Sequence, residues 1–209
     1  LKQLESPNSD WSNAIDVDED GNIFIAGATY GNMIDQTYNY LTHAITDNVI
    51  ENDDPSGITT DAYITQLTIG ARGMISWTNL IGTRTENDKF KNDEITAFDR
   101  NEEGDIFASL RSEWNSGSYQ KHSESKIVKY ASDGNGETFY SIGENQDEFN
   151  NNLDAYDIEV SKDGGIYVGG HTNYDLYGQE VTSFSSDYNY NSSDAFVSKF
   201  DERDGSHLW

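Results

Sequence analysis

Acidic residues at alternate positions open the chemistry of this chain. Asp16-Val17-Asp18-Glu19-Asp20-Gly21 matches the D-x-D-x-D-G start of a calcium loop, which sets alternate carboxylates around one ion. Asp16, Asp18 and Asp20 are therefore the candidate metal ligands, and Ca²⁺ is the candidate cofactor. The bidentate Glu such a loop needs eleven residues after Asp16 is missing, because Gly27 stands there. The competing reading makes Asp16 and Asp18 solvent-facing strand positions and Asp20-Gly21 a hairpin turn. Glu51-Asn52-Asp53-Asp54 is a second acidic stretch able to attract Ca²⁺ loosely.

No catalytic signature accompanies these acids. His43, His122, His171 and His207 are scattered, without metal-ligand spacing. Neither a G-x-S-x-G elbow nor a phosphate-binding loop is present. The chain has no Cys, which excludes disulfides, thiolate zinc sites and thiol catalysis. With 13 basic against 38 acidic residues the net charge is −25, so nucleic acid and anionic membranes are poor partners. No apolar run approaches the ~20 residues of a membrane span. The charge suits a cation-rich marine, halophilic or extracellular setting, or simply keeps a polar surface soluble.

The residues best suited to recognition are aromatic and lie in variable intervals. Tyr38 and Tyr40, Trp114 and Tyr119, and Tyr177, Tyr188 and Tyr190 sit among Asn, Ser, Asp and Gly. Rigid rings with adaptable polar neighbours suit a polysaccharide or a protein partner. The bland alternative is that these rings only cover the sheets beneath them.

A repeat positions all of these groups. Residues 14–29 read AIDVDEDGNIFIAGAT, residues 97–112 AFDRNEEGDIFASLRS, and residues 157–172 DIEVSKDGGIYVGGHT. A second phrase follows each: DAYITQL at 61–67, ESKIVKY at 124–130 and DAFVSKF at 194–200. The first phrase predicts strand, tight turn at Gly21, Gly104 or Gly164, then strand. The second predicts a third strand, and the aromatic-bearing stretches at 74–77, 138–140 and 207–209 a fourth. Gly27 and the pair Gly169-Gly170 mark places where backbone passes close to a neighbour. From turn Gly to second phrase the distance is 40, 20 and 30 residues, so a constant framework carries one variable loop per copy.

Four antiparallel strands per 60–80 residues, repeated, predict an all-β fold of β-propeller blades. The 209 residues form a single propeller segment of about three blades, at roughly 14–82, 97–143 and 157–209, with 1–5 as a stray outer strand. The motifs Asp20 to Thr29 with Asp61 to Ile64, and Asp163 to Thr172 with Asp194 to Phe200, resemble the SBBP-type bacterial β-propeller repeat. The middle copy departs from it at Leu110 and at Glu124-Ser125. The resemblance implies a large exported or cell-surface bacterial protein and carries no catalytic residues with it.

The reading that follows is a non-enzymatic scaffold or binding module of a larger exported or surface protein, recognising its partner through the variable loops. One rival is a polysaccharide-acting lyase or hydrolase with acids near the propeller axis. Another is an assembly subunit docking through open blade edges. Three blades are too few to close a ring. Further blades in the same chain, or a second chain, are expected to complete it. Leu1-Lys2-Gln3-Leu4 resembles the end of a fourth strand, and the missing initiator Met suggests an excised or processed segment.

Overall fold

Each copy of the first phrase folds as a hairpin, and its turn dictates the glycine. In this computed structural model, which describes residues 6, 8–39, 44–54, 56–68, 74–85, 89–115, 121–143, 152–179 and 193–209, all the regular structure is antiparallel strand. The chain divides into two compact units, Leu1–Ile95 and Thr96–Trp209.

In the first unit, β1 (Asp10–Val17) pairs with β2 (Ile23–Thr29). Gly21 closes the turn at φ 82°, and Gly104 and Gly164 repeat it at 86° and 80° in the other copies. L side chains rarely adopt that conformation. A bulge between Ser12 and Ala14 pushes the Trp11 carbonyl into the space that a Cβ on Gly27 would fill. The same device recurs in the third copy. There a bulge between Ala155 and Asp157 sets the Asp154 carbonyl against Gly170. Gly169 has no such need, since its nearest neighbour lies at 3.9 Å.

The interval expected to be a loop contains a hairpin of its own. β3 (Met33–Asn39) pairs with β4 (Ala44–Ile50). β5 (Asp61–Thr68) and β6 (Met74–Ile81) complete the main sheet, in the order β1-β2-β5-β6. The extra hairpin is tied to β6. The Thr78 hydroxyl donates to the Ile34 carbonyl at 2.9 Å, and the Ile75 N–H donates to Gln36 Oε1 at 3.2 Å.

β7 (Asn92–Arg100) begins in the first unit and continues into the second. It is joined by β8 (Ile106–Asn115), β9 (Lys121–Tyr130) and β10 (Glu137–Ser141), ordered β10-β9-β8-β7. The third sheet is β11 (Leu153–Val160), β12 (Gly165–Thr172) and β13 (Asp194–Asp201). Its fourth strand is present in outline. His207 bridges Phe200, Lys199 N–H donates to the Trp209 carbonyl and Leu208 N–H to the Lys199 carbonyl, both at 2.8 Å. The sheets thus begin at Asp10, Asn92 and Leu153, four or five residues before the shared phrase. That leading half of each inner strand is the bulged or variable part, which the repeat does not display.

The core of the second unit lies between its two sheets. Phe107 and Ile127 from one face Leu153, Ile158, Ile166 and Phe200 from the other. Burying each of these side chains contributes about 1.5–3 kcal/mol. Polar groups fix the same seam. The Ser125 hydroxyl donates to the Leu153 carbonyl at 3.1 Å and accepts the Ala155 N–H at 2.9 Å. The Thr96 hydroxyl donates to the Ala155 carbonyl at 2.9 Å, and Val160 N–H donates to Asp99 Oδ2 at 2.7 Å. In the first unit Asn13, at the repeat position of Thr96, donates its Nδ2 to the Ile95 carbonyl at 2.9 Å.

The expected facing of β1 is reversed. The alternation placed Asp16 outward and Ile15 and Val17 inward. Instead Ile15 is 70% and Val17 53% exposed, and Asp16 is half-buried. At the position of Ile15 the later copies hold Phe98 at 9% and Ile158 at 3%. The pattern is that of a two-sided strand, and among the described residues no layer covers the Ile15 side of β1.

Candidate binding cleft

The first unit carries a polar cleft of about 340 Å³, lined by Asn8, Tyr30, Gly31, Asn32, Glu51, Asn52, Asp54 and Gly57. It lies on the side where the variable loop leaves the framework. The departure point is Thr29, whose hydroxyl accepts the Gly31 N–H at 2.9 Å and closes a tight turn. Thr172 makes the same turn in the third copy, accepting the Tyr174 N–H at 3.2 Å. Ser112 holds this position in the middle copy, where β8 instead runs on to Asn115.

Short-range hydrogen bonds hold the walls. Asn52 N–H donates to Asn32 Oδ1 at 2.9 Å, and the Asp54 N–H to Asn52 Oδ1 at 2.8 Å. Asp54 accepts from the Ser56 N–H and hydroxyl on one oxygen, and from Ile58 N–H, Thr59 N–H and the Thr59 hydroxyl on the other. Burial alone would raise its carboxyl, but these bonds outweigh it and hold the group well below the usual carboxylate range. Across the cleft Asn8 Nδ2 donates to the Tyr30 carbonyl at 3.0 Å. Tyr30 is braced edge-on by Trp11, ring centroids 5.9 Å apart. A ring held at its edge, ordered amides and the exposed carboxylate of Glu51 can together recognise a polyhydroxylated ligand.

Beside this wall lies an acid pair. Asp61 is 1% exposed; its Oδ2 accepts the Asp53 N–H at 2.8 Å, while among the described residues its buried Oδ1 has no hydrogen-bond partner. Burial, with the nearby Asp53 and Asp93 carboxylates, pushes Asp61 up to about 7. Asp93 spends its own carboxylate on Thr83, accepting the N–H at 2.6 Å and the hydroxyl at 2.7 Å. Arg84 pairs with Asp53 at 3.6 Å.

The second unit holds a charged strut. Asp154 Oδ1 meets Arg111 Nε, and Asp154 Oδ2 meets His171 Nε2 at 3.2 Å. Arg111 Nη2 also binds Glu113 Oε2 at 2.8 Å, which Lys121 reaches at 2.6 Å. Burial works against the Arg111 charge, yet Asp154 and Glu113 raise its pKa above the ordinary value. Both oxygens of Asp154 are thus occupied, one by the Arg111 guanidinium and one by the His171 imidazole, and the contacts join β8, β11 and β12.

A family model described as SBBP, beta-propeller repeat, matches residues 1–34. Among the described residues that match takes in β1, β2 and the start of β3. With antiparallel sheets of three and four strands, it supports a propeller module. No curated protein and no solved structure matches the chain.

The strand framework accounts for several residues singled out by spacing. Asp18 accepts the Asn22 N–H at 2.7 Å and Nδ2 at 2.8 Å, so its carboxylate braces the β1–β2 turn. Among the described residues no three acids or histidines are grouped to hold a metal ion. Trp114 and His122 lie in β8 and β9 rather than in the loop between them. They pair across the hairpin with stacked rings 5.4 Å apart. His122 is buried, which lowers its pKa. Tyr177 accepts the Gly143 N–H at 2.8 Å and stacks on His207 at 3.4 Å, with φ 51°. Tyr38 lies in β3 opposite Ile45. Tyr40, Tyr119, Tyr188 and Tyr190 lie outside the described residues.

Spacing missed the cleft amides. Asn8 precedes the repeat, and Asn32 and Asn52 are far apart in sequence. The N-D-D-P-S-G run at 52–57 carried the one available signal, since Asn, Asp and Ser before Gly close local turns.

Proposed function

We propose that this propeller module is non-enzymatic and serves a larger exported or cell-surface bacterial protein as a recognition scaffold. The cleft of the first unit takes a segment of neutral polysaccharide. The observation that carries this reading is the wall itself: ordered Asn side chains and a braced Tyr30 ring line an open space of about 340 Å³. The net charge of −25 favours a neutral glycan over an acidic one. Calorimetric titration with neutral and uronate-bearing oligosaccharides tests it. Binding of the neutral set alone, weakened about tenfold or more by Tyr30→Ala and by Glu51→Ala, is expected. Equal affinity in both variants overturns the assignment.

A second reading, a polysaccharide-acting enzyme, draws on Arg111, Asp154 and His171. It requires Asp154 to exchange a proton with substrate, although its oxygens are already engaged by Arg111 and His171. Release of reducing ends by the wild-type chain, lost in Asp154→Asn, would establish it against the binding reading.

A further inference from the structure

Three copies of one phrase allow each sheet face to be compared position by position. Within the second unit the seam between the β7–β10 sheet and the β11–β13 sheet is closed. Ile127 and Phe107 on one side are fully buried, as is Ile158 on the other at 3%. Asp99 caps the Val160 N–H across it.

Among the described residues, the same face of the third sheet carries exposed apolar groups. Val197 stands where Ile127 is buried, and is 58% exposed. Tyr167 replaces Phe107 and packs edge-on against Trp209, centroids 6.0 Å apart, with Trp209 57% exposed. The first sheet repeats this aromatic pair as Phe24 and Trp77, 6.2 Å apart, and there Phe24 is 2% exposed. Glu159 is exposed at the position of Asp99.

The complementary half of the seam is uncovered on the first sheet. Ile15 and Val17 occupy the positions of Ile158 and Val160 and are 70% and 53% exposed, with Trp11 beside them at 37%. Exposed apolar groups so aligned mark an interaction surface. We infer that the outward face of the β11–β13 sheet docks the β1 face of a second copy of this chain, head to tail, continuing the seam found inside the second unit. In that contact Ile15 and Val17 cover Val197 and Tyr167, and Glu159 meets the Val17 N–H as Asp99 meets that of Val160. The contact is heterologous, since the two faces belong to different sheets.

Sedimentation equilibrium of the whole chain tests it. Charge repulsion between copies is screened in about 1 M NaCl, where the Debye length is ~3 Å. The wild type is expected to associate there as concentration rises. Ile15→Glu and Val197→Glu, both at exposed positions, are each expected to weaken association about tenfold or more with an unchanged circular dichroism spectrum. The deciding arm mixes the two variants. Each retains one intact face, so the mixture forms a 1:1 dimer that neither forms alone. A monomeric wild type, variants that associate like wild type, or a mixture that stays monomeric overturns the inference. The last outcome would point to a two-fold contact, and a monomeric wild type to a different protein as the occupant.

Discussion

Ile158 and Ile15 stand at the same place in two copies of one phrase, yet one is 3% and the other 70% exposed. The strands that carry them share a bulge, a turn glycine and a partner register. Only the layer on the far side differs. Local structure in this repeat is therefore specified by the phrase, while burial is specified by the neighbour. The two levels separate cleanly because a blade's hydrogen bonds are made within its own sheet and most of its apolar contacts are made outside it.

The widest separation is expected from a charge at each site. Ile158→Glu is expected to cost about 4 kcal/mol or more, enough to unfold the second unit, because the carboxylate has no partner in the seam. Ile15→Glu is expected to stay within about 0.5 kcal/mol of wild type. Chemical denaturation of both variants reads the contrast, and equal losses would erase it. A smaller effect isolates the level the two copies share. Gly27→Ala and Gly170→Ala each drive a methyl into a backbone carbonyl of the bulged strand. Losses of about 2–4 kcal/mol, similar in both despite the difference in covering, are expected. A large loss at Gly170 alone would tie the bulge to the seam instead.

A pH-dependent effect of comparable size concerns Asp61, whose counterparts Glu124 and Asp194 sit in other settings. Glu124 pairs with Lys126 at 3.2 Å, and Asp194 is half-buried. Asp61 is raised from 3.8 to about 7, so the native state keeps a proton that the unfolded chain has released. Stability then falls as pH rises through that window and levels off above it. Asp61→Asn is expected to flatten this slope and to raise Tm at pH values above the window, with little change below it. Thermal melts across the range check this, and an unchanged slope would place the titration elsewhere.

The framework was legible because its signals are local. Period-two apolar runs mark the main strands, Asp-Gly and Glu-Gly mark the turns, and Gly27 marks the close approach that the bulge creates. The D-x-D-x-D-G pattern at Asp16, Asp18 and Asp20 carries two readings for a related reason. A tight turn also favours acids before Gly, and Asp18 uses its carboxylate on Asn22. Ile34, Gln36 and Tyr38 did alternate, but a Tyr- and Asn-rich stretch reads as loop until the hydrogen bonds from β6 are seen. The cleft was invisible because its walls come from segments about 20 residues apart. Facing was misread at Ile15 because alternation gives the two sides of a strand without saying which side has a neighbour.

The seam bonds have a consequence for how such a chain can grow. Asn13 and Thr96 each reach a backbone carbonyl on the first strand of the next sheet, at Ile95 and at Ala155. Backbone acceptors do not depend on side-chain identity, so a duplicated unit spliced into the series meets a ready socket ahead and offers one behind. Copy number can change by recombination without a matching change at any existing residue, and drift in the long intervals leaves the joint untouched.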